Sequence, residues 1–189
     1  MENTSEKVEY SPRTALYPTP VVLVTSVDAD GKPNIVTLAW VGIVSSDPPQ
    51  IGVSVRPGRY SHAGIRERGE FTVNVPSQTI LQAADLCGQV SGRDTDKFEL
   101  AGLTSLAASK VKPPLIAECP VNLECVVRHQ LELGAHDLFV GEVVAVHVSR
   151  SVIGEEGHID YNRAQPIAYV QGQYWGLGVL LGRHGLSKA

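Results

Sequence analysis

The chain has 189 residues, 43% of them hydrophobic, with 16 basic and 20 acidic side chains and a formal net charge of −4. That length suits one domain with a substantial core, and the near-balanced charge excludes disordered and fibrous classes. An acidic chain without a basic tract argues against a nucleic-acid partner.

No apolar run reaches the roughly 18 residues of a membrane span. The start, MENTSEKVEYSPRT, has neither the apolar h-region of a signal peptide nor the Arg-rich character of a transit peptide. The expectation is a cytoplasmic protein without membrane association, a single domain over 1–189 with residues 1–14 as a flexible arm. Cys87, Cys119 and Cys125 form no CxxC pair and have no His at zinc-finger spacing, so they read as buried small hydrophobes.

Along the chain, Val21 to Val27 predicts a strand, Asp30-Gly31 a hairpin turn, and Ile35 to Ser45 the returning strand. Asp47-Pro48-Pro49 stops pairing, and Ile51 to Val55 supplies a third strand, so an antiparallel meander is expected. Ser61 is placed to cap a helix to about Arg68, with Gly69 as its C-terminal glycine. Phe71 to Val75 is a strand, and Ile80, Leu81, Ala84 and Cys87 have helical spacing up to Gly88. Residues 89–112 read as a long loop suited to covering a ligand, with a helical turn near Asp94 to Phe98. Val121 to Leu133 and Leu138 to Val148 predict a second hairpin. Beyond Ser149 come a turn at Gly154 to Gly157, a short strand at Ile167 to Val170, and a glycine-rich end that declares no fold. The sum is a mainly antiparallel β-barrel with peripheral helices.

The turn Arg56 to His62 is the strongest site candidate. A helix start offers unpaired N–H groups and a positive dipole end, and Arg59, Ser61 and His62 beside it suit a phosphate. The plainer reading makes Arg59 a solvated charge and Ser61 an N-cap. On the strand before it, Asn34, Val36, Leu38 and Trp40 share one face. This is either a core strand or, with Asn34 and Thr37, the polar rim of a flat aromatic ligand. Ser45 and Ser46 read as turn residues, and Lys97 as a solvated charge or an ammonium reaching into a pocket. His136-Asp137 and His158/Asp160 lack an adjacent nucleophile and read as loop residues. No metal motif is present. Gly176-Leu177-Gly178 with Gly182 departs from GxGxxG and lacks a βαβ unit, which excludes a Rossmann domain.

Taken in order, PTPVVLVTSVDADGKPNIVTLAW, VSSDPPQIGVSVRPGRYSHAGIRERGEFTVNVPS, SGRDTDKFELAGLT, LECVV and HDLFVGEVVAV resemble the flavin reductase-like, flavoredoxin-type family of FMN-binding split barrels. The resemblance covers about residues 15 to 150. It implies a mainly β fold, an antiparallel Greek-key split barrel with a few peripheral helices, a homodimer, and FMN as cofactor. By the same resemblance Arg59, Ser61 and His62 meet the FMN phosphate. Asn34, Thr37, Leu38, Ala39, Trp40, Ser45 and Ser46 lie along ribityl and isoalloxazine. Ser54 and Val55 flank the ribityl, and Lys97 of DKF lies near the flavin. The implied reaction passes hydride from the C4 of transiently bound NAD(P)H to flavin N5, so no protein nucleophile is needed. The alternatives are a flavoredoxin-like electron carrier served by a redox partner protein, and a non-catalytic barrel binding some other phosphate. His136-Asp137, where relatives often carry an acidic residue before the His, and the GQYWGLG segment depart from the family pattern.

Overall fold

The computed structural model describes residues 7–188. Residues 1–6 of the expected N-terminal arm lie outside the described residues, and 7–14 are exposed without regular structure. The strands β1 (Thr19–Pro20), β2 (Val22–Val27), β3 (Pro33–Leu38), β4 (Val41–Ser46) and β5 (Pro49–Val55) come first. The helix α1 (Tyr60–Arg68) and strand β6 (Glu70–Val75) follow, then the helices α2 (Leu81–Gln89) and α3 (Lys97–Ala101). Two short strands, β7 (Ser105–Leu106) and β8 (Leu115–Ile116), precede the long hairpin β9 (Val121–Glu132) and β10 (Asp137–Val148). The chain ends with α4 (Tyr161–Ala164), β11 (Ile167–Val170) and β12 (Gln173–Gly176).

Seven strands form an antiparallel sheet in the order β3-β2-β6-β9-β10-β5-β4. The first hairpin forms where expected, because the Asp28 carboxylate accepts from the Asp30 and Lys32 N–H groups and Gly31 adopts a positive φ of 83°. The expected meander does not. The run 35–45 breaks at Ala39–Trp40 into two strands, and β3 and β4 lie at opposite ends of the sheet order. Ser54 N–H donates to the Trp40 carbonyl at 2.9 Å, joining β5 to the bend that follows β3. Strand propensity alone could not find this break, since the segment is apolar and β-favouring throughout.

Alternation along β2 separates two cores. Val22 and Val24 face a cluster with Val53, Val55, Ile65, Phe71 and Phe139. Leu23 faces the other way, with Ile35, Ala84, Cys87, Phe98 and Ile116, beneath α2 and α3. Glycine lets α1 approach β2, because a Cβ at Gly64 would fall 2.6 Å from the Val27 carbonyl oxygen. Gly69 ends α1 in the left-handed conformation as expected. Gly88 lies inside α2 and does not terminate it. All three cysteines are free and buried, and burial pushes the Cys87 thiol up to about 11 and Cys125 to about 12.

The later part of the 89–112 connection is held to the sheet. Buried Glu124 accepts from Ser109 N–H and Oγ, both at 2.8 Å, and from the N–H groups of Lys110 and Val111. It also meets His147 Nε2 at 2.6 Å. Burial alone would raise this carboxyl, but the Ser109 and His147 bonds outweigh it and hold the group at about 2. Thr25 and Thr72 hydroxyls donate to the Pro114 and Pro113 carbonyls. The C-terminal segment pairs as the sheet β1-β11-β12, which gives GQYWGLG a place beside α2.

Candidate functional site

Two cavities meet at Arg59. The smaller, about 190 Å³, is walled by Asn34, Gly58, Arg59, Ser61, Arg93 and Lys97, with Ser91 and Gly92 closing it. The larger, about 350 Å³, is walled by Thr37, Leu38, Ala39, Trp40 and Ser54, with Arg56, Arg59, Gln89, His136, Tyr169 and Tyr174 opposite. Every charged side chain on either wall is cationic, in a chain of net charge −4. Such a cleft favours an anion although the chain as a whole is acidic.

The smaller cavity is built by the start of α1. Arg59, not Ser61, occupies the N-cap position with extended backbone, and no side chain caps the helix. Ser61 is instead buried one position inside, where its Oγ accepts from Asn34 Nδ2 at 2.6 Å. Its own proton remains available to donate. Asn34 Oδ1 is buried without a hydrogen-bond partner among the described residues. A Cβ at Gly92 would come within 2.0 Å of that oxygen, so a glycine is required for the loop to close on Asn34. Lys97 begins α3, whose N-cap Asp96 accepts from Phe98 and Glu99 N–H. Its ammonium donates to the carbonyls of Ile35 and Cys87, each at 2.7 Å, and ties β3 to α2. Burial, and then the charge of Arg59, lowers the Lys97 pKa from its ordinary range.

The larger cavity is built by the bend at Ala39–Trp40. The Trp40 ring lies parallel to His136, at 5° and 6.3 Å between centroids, and tilted against Tyr169 at 6.0 Å. Tyr174 packs edge-on against Tyr169 and donates its phenol to Asp85 Oδ1 at 2.7 Å. Burial and the Asp85 bond push that phenol up to about 12. Arg56 Nε donates to His136 Nε2 at 3.4 Å. Burial first, and the Arg56 charge second, lowers the His136 pKa. The joint cleft suits a ligand with an anionic oxygen cluster at one end and a flat aromatic system at the other. A flavin mononucleotide has that form, and the donors present match it.

Among the residues expected at the site, Asn34, Arg59, Ser61 and Lys97 gather at the smaller cavity. Thr37, Leu38, Ala39, Trp40 and Ser54 gather at the larger. Four do not join them. His62 is buried, shares a 2.7 Å contact with Asp137, packs edge-on to Phe139, and lines neither cavity. Val55 points into the core because Ser54, its strand neighbour, takes the cavity face. Ser45 and Ser46 line a separate groove with Ile43, Gln50 and Val146, carried there when β4 crosses to the far end of the sheet. Asp137 is correspondingly a buried strand residue and not part of a loop. Sequence reasoning missed Arg56, Gln89, Arg93, His136, Tyr169 and Tyr174 as lining residues. Arg56 and His136 stood in quoted motifs, but the tyrosines arrive only through the β1-β11-β12 sheet.

Residues 14–178 match the family model described as flavin reductase like domain. The chain belongs to that family. Its fold is similar to flavoredoxin of Desulfovibrio vulgaris (Miyazaki F), with 36% identity, TM-score 0.91, and coverage of 97% of this chain and 100% of that one. Flavoredoxin from Methanosarcina acetivorans gives 33% identity and TM-score 0.88, over 98% and 100%. Nitrilotriacetate monooxygenase component B from Bacillus cereus gives 26% and 0.86, over 95% and 100%. The flavin reductase-like, split-barrel expectation is thereby met, and the family places the chain among flavin-related oxidoreductases. Among the described residues no helix is long and apolar enough to cross a membrane.

Proposed function

We propose that the chain binds FMN, with the phosphate in the smaller cavity and the isoalloxazine in the larger, and works as an NAD(P)H-dependent flavin oxidoreductase. The observation that carries this reading is the junction at Arg59. One guanidinium serves a polar, cationic cavity on one side and an aromatic-walled cavity on the other. FMN when bound supplies the hydride acceptor, so the protein's task is binding, orientation and exclusion of water.

Each part of that task has residues here. Arg59 and Ser61 donate toward an anion, and Arg93 adds charge at the same wall. Lys97 fixes the cavity's shape through its two carbonyl bonds. Trp40 and Tyr169 supply apolar ring faces, and the Tyr174–Asp85 bond pins the β11–β12 hairpin over the larger cavity. The likeness to two flavoredoxins favours a second reading in which the chain is an electron carrier served by a protein donor. Anaerobic mixing of FMN-loaded protein with NADH and NADPH separates the two. Bleaching of the flavin absorbance with either supports the reductase, and flavin left oxidised by both supports the carrier. A protein that fails to quench FMN fluorescence fits neither and returns the chain to a phosphate-binding barrel.

A homodimer is part of the proposal. Ile43 on β4, 81% exposed, shares an apolar groove with Val143 and Val146 on β10, which leaves an apolar patch of the sheet open. A dimer mass in solution is expected, and a monomer at micromolar concentration would contradict it.

A further inference from the structure

The two cavities differ in the cation that belongs to each. Lys97, the ammonium expected near the flavin, lines only the smaller cavity and is spent on two backbone carbonyls. Arg59 is shared, and its Nη1 donates to the Gly88 carbonyl at 3.3 Å. Arg56 alone is a charge of the larger cavity only. Among the described residues no carboxylate pairs with it. Its hydrogen bond there is from Nε to His136 Nε2, which leaves both terminal nitrogens free. Because His136 accepts that bond, its proton sits on Nδ1 and the ring is neutral. Burial and the neighbouring guanidinium both oppose its protonation. The imidazole lies flat beside Trp40, so the pair is positioned by packing as well.

We infer that Arg56, held by neutral His136, makes the larger cavity prefer a negatively charged ring, and so favours reduced over oxidised FMN. The inference rests on the reading that FMN binds with its ring in this cavity. Hydride uptake breaks the nicotinamide C4–H bond, forms an N5–H bond, and moves two electrons and one proton. A neutral ring thereby gains one negative charge and the nicotinamide ring becomes positively charged. A guanidinium lining the cavity meets that charge only in the reduced state, which raises the midpoint potential.

The test is the midpoint potential of FMN-loaded wild type, Arg56→Gln and Arg56→Lys, measured by equilibration with a reference dye. Fluorescence quenching gives the affinity of each protein for oxidised FMN. Arg56→Gln is expected to lose about tenfold or more in the preference for reduced FMN, about 30 mV for a two-electron couple, with the larger share of any affinity loss falling on the reduced form. Arg56→Lys keeps most of the wild-type potential. An unchanged potential in Arg56→Gln overturns the inference, as does an equal fall in Arg56→Lys, which retains the charge. Either result leaves FMN binding itself intact. A wild type that binds no FMN instead removes the reading of the cleft, and this inference with it.

Discussion

The cleft and the Glu124 site handle charge in opposite ways. Around Glu124 a buried carboxylate is saturated: Ser109 donates twice, Lys110 and Val111 once each, and His147 closes the shell. Along the cleft Arg56, Arg59 and Arg93 have no carboxylate partner among the described residues, and Asn34 Oδ1 has no partner at all. The first arrangement spends its electrostatics on folding, since it fixes a long connection to the sheet. The second holds its electrostatics in reserve, at some cost to the isolated fold, where only a ligand can use them.

The largest effect should come from breaking the saturated region. Glu124→Ala leaves buried N–H donors unpaired and is expected to cost about 3–5 kcal/mol in urea unfolding, without changing any discrimination between ligands. The same carboxyl gives a pH signature. Its folded pKa of about 2 lies below the ordinary 4.5, so its stabilisation is fully present above pH 4.5 and is lost as the pH falls through about 2. Wild-type unfolding midpoints should drop across that window, and Glu124→Gln should flatten the drop.

Arg59→Ala should do the reverse, with little loss of stability and a selective loss of affinity. Removing a charged donor of about 1.5–3 kcal/mol weakens FMN roughly ten- to hundredfold and riboflavin far less. Equal losses for both ligands would sink the phosphate assignment. Gly92→Ala drives a methyl into Asn34 and is expected to cost about 1–3 kcal/mol, read as a lower melting temperature together with weaker FMN binding. Tyr174→Phe deletes only the bond to Asp85, about 0.5–1.5 kcal/mol, and should show as faster exchange of the β12 amide protons with α2 unaffected.

Much of the cleft could be read from sequence because its smaller cavity is local. The turn Arg56 to Ser61, the Gly69 stop and the Asn34 strand lie close together in the chain, and their chemistry is explicit. Local geometry accounts for two of the expected residues that do not line the cleft. Successive side chains on a helix point about 100° apart, so the Ser61 side chain faces the smaller cavity while the His62 side chain turns to Asp137 and Phe139. Successive side chains on a strand point to opposite faces, so Ser54 faces the larger cavity while the Val55 side chain enters the core. Other features needed the tertiary fold. The break at Trp40 sends β4 with Ser45 and Ser46 to the far end of the sheet, and Tyr169 and Tyr174 reach the cleft from more than a hundred residues away. The loop expected to cover a ligand contributes its Gln89 to Lys97 portion, because Glu124 holds its later part on the sheet.

The most direct measurement is a pair of equilibrium titrations of the wild-type protein, one with FMN and one with riboflavin, followed by quenching of flavin fluorescence. If the smaller cavity holds the phosphate, FMN binds at least about tenfold more tightly, the equivalent of about 1.4 kcal/mol. Equal affinities for the two would contradict that assignment.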